Sequence, residues 1–499
     1  MTEWVHTALQ HWALHTPHTT AVVCGHTQLS FEQLHAAVSA QALQHANAPS
    51  VCLVDDTHTT LQQLIGFLGI VQSGRCAAVC DPDWPAHIRQ TVINTLHQEA
   101  LHTNTMSPQR LQDTDPFYIG FTSGSTGQPK GFMRHHRSWV ESFRVCATTF
   151  GMGPHMGILA PGRMSHSLFL FGMLMGLYTG AGIAVQDHFS AAQTLATLQA
   201  GHHPCLVAVP SQLILLMQWA QHRRMTALPQ VRLILISGAR WMHQHTVPLQ
   251  KLFPNARIVV FYGASETSFI AWKDAQEPAA PDAVGRPFAN VELQIRPIDT
   301  TATTTADVNV NVNSNGPSTP SGLIYVRSPM LFMRYVGNPH DPTAAVRDGD
   351  WLSVGDIGHI DAQGQLCLVG RQNRMIVTQG KNLFPEELET LLATHPHIAN
   401  ASVHALPDPI RGTQVVAVLH LRDDNTPLMS ARALGQWCKA HTEAFKTPRQ
   451  FFVCHAWPMT ASGKTDHASL QRALLQWRRH AACTNDTSDA ATPCLHRLS

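Results

Sequence analysis

Residues 118–132, YIGFTSGSTGQPKGF, pass from an apolar run into a loop of Ser, Thr and Gly that ends on a single lysine. That composition suits phosphate chemistry. Backbone N–H groups of a glycine-rich loop close around tetrahedral oxygens without side-chain clash, and hydroxyls add further donors. Lys130 supplies a mobile point charge. Thr122, Ser123, Gly124, Ser125, Thr126, Gly127 and Lys130 therefore read as a phosphate cradle. The stretch is not the G-x-x-x-x-G-K-[ST] loop of nucleotide hydrolases. The chain's one Gly-Lys-Thr, at Gly463, Lys464 and Thr465, has Pro458 where the first glycine belongs and no strand–helix–strand unit after it. Taken alone, the loop also has the composition of a linker.

Four further stretches follow in order: FYGASET at 261–267, SVGDIG at 353–358, GRQNRMIVTQGKNLFPEELE at 370–389 and PMTASGKTD at 458–466. Singly, each has a plainer reading, with Asp356 capping a turn and Glu266 capping a helix. As an ordered set of five spanning almost the whole chain, they resemble the adenylate-forming (AMP-binding) superfamily. Its members are acyl-CoA synthetases, aryl-CoA ligases, luciferases and stand-alone adenylation enzymes. The resemblance implies two half-reactions. A carboxylate attacks the α-phosphate of ATP, giving acyl-AMP and pyrophosphate, and a thiol then displaces AMP. The first step crowds negative charge on phosphorus, so cations and N–H donors must be fixed there.

The resemblance also implies roles. The hydroxyls of Thr122, Ser123, Ser125 and Thr126, the turns at Gly124 and Gly127, and Lys130 would hold the β- and γ-phosphates. Glu266 would bind Mg²⁺, a hard cation that seeks oxygen. Ser265 would contact the α-phosphate, and Tyr262, next to Gly263, would lie on the adenine face opposite Gly238 and Ala239. Asp356 would accept hydrogen bonds from both ribose hydroxyls with Arg371 assisting. Lys464 would bridge the reacting carboxylate and the α-phosphate. For the thiol step, a small C-terminal domain would swing about a hinge at Asn373, where relatives usually carry Asp or Lys. Gly380 would let the pantetheine arm of coenzyme A pass close to the backbone. Three other departures are Asp466, where a basic residue is common, QGKN in place of a Gly-Gly or Gly-x-Arg pattern, and a segment between CDPDWP and the phosphate loop that is shorter than usual.

The acid is read from what is missing. Relatives that activate amino acids place an Asp against the substrate ammonium, in a motif like F-D-x-S. The matching stretch here is MSHSLFLFG, with His166 at that place, as in many acyl- and aryl-CoA ligases. Residues 151–184 hold no carboxylate, and the expected pocket walls Phe169, Phe171, Val209 and Phe269 are apolar. An unpaired ammonium would be costly there, so the expected acid is fatty, branched or aryl, without an α-amine. Coenzyme A is the leading acceptor, and the phosphopantetheine of a carrier protein is the alternative. A non-catalytic nucleotide-binding homologue is the reading from another class. The retained Lys464, Glu266 and Asp356 argue against it.

These residues need a frame. Short β-branched runs such as PFYIGFT, PCLVAVP, VRLILISG and ARIVVFYG alternate with helical patterns. SFEQLHAAVSAQALQHA is a helix opened by a Ser30–Gln33 capping box. The expectation is an α/β protein. A large N-terminal domain, 1–372, would hold layered α/β subdomains with mostly parallel sheets. A small mobile α+β domain, 373–480, and a disordered tail, 481–499, would follow. Thr- and Asn-rich residues 299–321 read as a surface insertion. A net charge of +1 gives no electrostatic reason to expect nucleic acid or an anionic membrane. The 32 His are scattered and the eleven Cys irregularly spaced, so neither zinc pattern nor disulfide framework emerges, and reduced thiols point to the cytoplasm. Residues 168–185 carry no charge and place Gly172, Gly176 and Gly180 at membrane-helix spacing. A span there would put the phosphate loop and the Tyr262 motif on opposite sides of a bilayer, so the segment is read as buried core and pocket wall.

Overall fold

The structure, a computed structural model, describes residues 4–102, 111–122, 129–280, 282–298, 320–337, 345–378, 381–408, 412–423, 430–460, 463–483 and 495–498. Of the expected insertion at 299–321, only the last two residues are among them.

Two mixed sheets carry the large lobe. In one, Val51–Leu53, Cys76–Ala78 and Pro116–Thr122 run parallel, then continue antiparallel through Lys130–His135 to Arg334–Val336. In the other, Thr20–Cys24, Ile183–Val185, Ile158–Ala160, Cys205–Ala208, Leu233–Ile236 and Arg257–Ala264 lie parallel in that spatial order. It extends antiparallel through Ser268–Asp274, Ala283–Pro287, Leu366–Arg371, Asp356–Ile360 and Gly322–Arg327. The parallel core matches the expectation, but the sheets are mixed rather than mostly parallel. The reason is connection length. Helices such as Pro210–His222 supply the crossovers that parallel neighbours need, whereas Ala264 and Ser268 are joined by a turn too short for one. Local capping agrees with the sequence: Gln33 N–H donates to Ser30 Oγ at 3.2 Å, and Ser30 N–H to Gln33 Oε1 at 2.9 Å.

The uncharged stretch at 168–185 is core. Its helix, Ser167–Tyr178, is 12 residues long, about 18 Å. Every residue from Leu168 to Leu177 is buried, and the chain turns back into Ile183–Val185, a strand paired on both sides. Among the described residues no helix is long and apolar enough to cross a membrane.

The small lobe pairs Ile398–Asp408, Gly412–Leu421, Gln450–Cys454 and Leu495–Arg497 into one sheet. Helices Pro385–Ala393, Ala431–His441 and His467–Cys483 accompany it. Its apolar clusters draw only on residues from Ile376 onward, while those of the large lobe end at Leu368. The domain boundary we place at residue 373 falls between them. The expected disordered tail needs correction at both ends. The helix runs to Cys483, and Leu495–Arg497 is a strand because buried Leu495 and Leu498 cover the free edge of Gln450–Cys454. Residues 484–494 lie outside the described set.

Many histidines are folded in as neutral groups rather than left on the surface. His136 Nδ1 accepts from Val5 N–H at 3.2 Å, and His135 Nδ1 caps its helix by accepting from Ser138 N–H at 3.1 Å. Burial lowers His6, His135 and His203 to about 4, and His136 well below its usual value. An unfolded imidazole binds its proton near pH 6.5, so between 6.5 and about 4 the unfolded chain takes up protons the fold refuses. Stability is therefore fully present above pH 6.5 and falls steadily as pH drops towards 4. Thermal midpoints measured across that range should decline steeply, with a shallower slope for His203→Gln. A flat profile would mean these imidazoles accept protons in place.

Candidate active site

The candidate site is assembled around the hairpin that carries the expected phosphate loop. Pro116–Thr122 and Lys130–His135 pair so that Thr122 faces Lys130 at the loop's base. The rest of the expected cradle, Ser123, Gly124, Ser125, Thr126 and Gly127, lies outside the described residues. Lys130 Nζ sits 6.0 Å from the centre of the Tyr335 ring. Four residues along from Lys130, Arg134 is 1% exposed. Its guanidinium donates to Ser265 O at 2.8 Å, Ser268 Oγ at 2.6 Å, Met330 O at 2.6 Å and Ser138 Oγ at 3.2 Å. Burial pulls its pKa down to about 9, and the nearby Glu266 carboxylate opposes that shift.

Those contacts fix the turn at 265–267. Gly263 is required there, since a Cβ would come within 1.9 Å of the Ser268 carbonyl oxygen. Ser268 itself holds a left-handed φ of 57°, secured by the Arg134 bond to its hydroxyl. Glu266, buried beside this turn, accepts from the Tyr335 hydroxyl at 2.8 Å through Oε1. The parallel pairing of Leu233–Ile236 with Arg257–Ala264 brings Gly238 and Ala239 to the same sheet edge as Tyr262. This is the carboxyl end of parallel strands, where open α/β sheets bind ligands.

Asp356 and Arg371 face each other across Asp356–Ile360 and Leu366–Arg371. Arg371 Nε lies 2.8 Å from Asp356 Oδ1, and the Tyr262 hydroxyl donates to Asp356 Oδ2. The Arg371 contact is an ion pair without hydrogen-bond alignment, which leaves the buried Oδ1 without a donor. Burial first, then Asp356, pushes the Tyr262 hydroxyl well above its usual pKa, and Asp356 holds Arg371 above its own.

The small lobe closes the site. Lys464 stands in a tight turn, with Met459 bridged to Thr465 and Thr460 N–H donating to Lys464 O at 2.7 Å. The lysine is open to water but flanked by protein. That partial loss of hydration lowers its pKa, Arg371 lowers it further, and Asp356 and Glu266 oppose the change. Next to it, Gly463 lies against the large lobe. A Cβ there would meet Ser211 Oγ at 2.8 Å and Val209 Cγ2 at 3.6 Å. Val209 and His166 in turn flank Gly238. His166 is lowered to about 4 by burial and then by Lys464, and its Nδ1 has no hydrogen-bond partner. Phe169 stacks at an angle on His166, ring centres 5.2 Å apart. Phe171 and Phe269 meet edge to face at 4.7 Å in the adjoining aromatic core. Asn373 is exposed in the single turn Gln372–Arg374 between the lobes, and Gly380 lies outside the described residues.

The family model for the AMP-binding enzyme matches residues 89–336, and that for the AMP-binding enzyme C-terminal domain matches residues 387–464. The uncharacterized acyl-CoA ligase YhfT of Bacillus subtilis is 34% identical over 361 residues, 72% of this chain and 69% of that one. The chain belongs to the AMP-binding enzyme family. It is an ATP-dependent, AMP-forming acid–thiol ligase. The 2-succinylbenzoate–CoA ligase of Arabidopsis thaliana is 27% identical over 427 residues, 79% of this chain and 73% of that one. The ATP-bound MatB of Rhodopseudomonas palustris shares the fold with a TM-score of 0.80 at 19% identity, over 95% of this chain and 99% of that one.

Two site residues of this AMP-binding enzyme escaped the sequence reading. Arg134 sits on an ordinary-looking strand, and Tyr335 comes from a three-residue strand 69 residues beyond the Glu266 it bonds. Alternation could have placed both on a sheet face, but not their partners. Replacing Lys464 by Ala should cut acid-dependent pyrophosphate release by about 10²–10³-fold, while ATP binding by calorimetry changes little. Unchanged turnover would remove the lysine from its role. Asp356→Asn should weaken ATP binding by about 10–100-fold, the scale of hydrogen bonds to a charged acceptor. Equal affinity would mean the ribose is held elsewhere.

Proposed function

We propose that this ligase activates a fatty, branched or aryl acid lacking an α-amine as acyl-AMP and passes the acyl group to coenzyme A. The observation that carries the reading is the convergence of Lys464 from the small lobe on Asp356, Glu266 and Arg371 of the large one. The residues fit the nucleotide. Asp356 Oδ1, buried without a donor, suits a ribose hydroxyl, and Arg371 Nε lies 2.8 Å from it. Tyr262 and the Gly238–Ala239 turn at the same sheet edge would sandwich the base.

Lys130 and the cradle would hold the β- and γ-phosphates, and Ser265, its carbonyl pinned by Arg134, would approach the α-phosphate. Glu266 offers a buried carboxylate, oriented by Tyr335, that fits Mg²⁺, which would supply charge neutralisation on the phosphates. The attacking carboxylate needs no general base. Two anions meet at phosphorus, so the protein's task is to counter their charge. Lys464 would do so only while they react, which favours the transition state over the bound substrates.

The region of His166, Phe169 and Val209 supports the choice of acid. His166 is held neutral, Phe169 and Val209 are buried, and residues 151–184 include no carboxylate to pair an ammonium. For the thiol step, rotation about Asn373 would withdraw Lys464 and bring the loop with Gly380 to the acyl-AMP. The test is pyrophosphate release with ATP, Mg²⁺ and a panel of fatty, aryl and amino acids, each with and without coenzyme A. Release that requires a fatty or aryl acid and accelerates with coenzyme A is expected. A preference for amino acids would overturn the substrate class. Release indifferent to coenzyme A would move the acceptor to a carrier protein.

A further inference from the structure

Away from the residues assigned to ATP, three side chains of metal-binding type meet on the large lobe's second sheet. Cys367 lies directly opposite His359 in the pairing of Leu366–Arg371 with Asp356–Ile360. On its other side it pairs with Ala283, and Leu368 N–H donates to Asp282 O at 2.9 Å. Three neighbouring strands thus present Asp282, His359 and Cys367 together, and their ligand atoms all lie within 4.8 Å of one another.

Among the described residues His359 and Cys367 have no strong contact elsewhere, and the Asp282 carboxylate faces the Arg240 and Lys273 cations. His359 Nδ1 is buried and has no hydrogen-bond partner, which is costly for an imidazole without a ligand. The Cys367 sulfur makes only long contacts, 3.9 Å to Asp361 Oδ2 and 3.9 Å to Gln365 O. We infer that Asp282, His359 and Cys367 form a site for a single transition-metal dication, zinc foremost.

The donor set decides the class of ion. One sulfur, one imidazole nitrogen and one carboxylate oxygen match tetrahedral zinc, with a fourth position left for water. A tetrahedral ion with such ligands spaces them about 3.3–3.5 Å apart, so the three groups need close by only about 1 Å, within reach of side-chain rotation. The Lys273 ammonium stands nearby, bonded to Ala283 O at 2.5 Å. The Arg240 guanidinium also faces Asp282, and Asp361 faces Cys367. The two cations oppose any dication alike, so the selection of the ion comes from the soft thiolate and imidazole donors rather than from charge. Binding forms the metal–sulfur bond, breaks the S–H bond and releases that proton to water, so affinity should rise with pH.

The site would tie together the strands that start at Asp356 and end at Arg371, three residues from His359 and four from Cys367. Its consequence is stiffening of that sheet, independent of the acid the ligase uses.

The test uses the full chain, freed of metal with a chelator and titrated with Co²⁺. One equivalent should bind with a thiolate-to-cobalt charge-transfer band, competed away by Zn²⁺, and the metal should raise the melting midpoint. Cys367→Ser should abolish the band, and His359→Ala and Asp282→Asn should each weaken cobalt binding at least tenfold. Melting of each metal-free variant confirms that it is folded. Absence of the band, or a band unchanged in Cys367→Ser, would overturn the site. A band lost in Cys367→Ser but untouched in both His359→Ala and Asp282→Asn would mark binding by cysteine alone and overturn it equally.

Discussion

The buried guanidinium of Arg134 is the contact on which the phosphate end of the site depends. It ties the strand leaving the phosphate loop to the turn that bears Ser265 and Glu266, and to the carbonyl of Met330. Without those acceptors, a fully buried guanidinium would be among the more expensive groups a protein can hold. With them, it fixes the strand that starts at Lys130 against the turn that bears Glu266. It also supports a serine in a left-handed conformation, where strain is stored next to the chemistry. Tyr335 completes the arrangement by orienting Glu266 from a strand paired to Lys130–His135.

A second constraint joins the proposed nucleotide site to the segment between the lobes. Asp356 is held from two sides by Tyr262 and Arg371, both of the large lobe. Three residues after Arg371, Arg374 already belongs to the small lobe, where it bonds Glu386 at 2.9 Å and Glu389 at 2.5 Å. Each arginine is anchored to its own lobe, so the proposed rotation would be absorbed by Gln372 and Asn373 between them. That is where we place the pivot. In the arrangement seen here Gly463 lies against Ser211 and Val209, and we assign it to acyl-AMP formation as part of the proposed reaction.

Two groups of residues show why a composition can mislead. The histidines are scattered along the sequence without a pattern, yet several are buried and neutral, at caps and in the core. The uncharged stretch at 168–185 carried a glycine spacing found in membrane helices. It folds instead as a short helix and a paired strand, because neighbouring strands offered it a protein interior. Hydropathy reports that a segment avoids water, not what replaces the water.

The sequence by itself determined the local elements and the order of the motifs: the capping box at Ser30, the strand Pro116–Thr122 and the α+β character of the small lobe. These depend on periodicity, turn residues and neighbours within a few positions, all of which a string of letters contains. Tertiary structure alone decided which polar groups meet. Arg134 finds Ser265 at a separation of 131 residues, and Asp282 comes beside His359 and Cys367 only because three strands pair in one register. A shift of one residue in that register would turn each side chain to the opposite face. Register is set by packing across the whole sheet, so no short stretch of sequence records it.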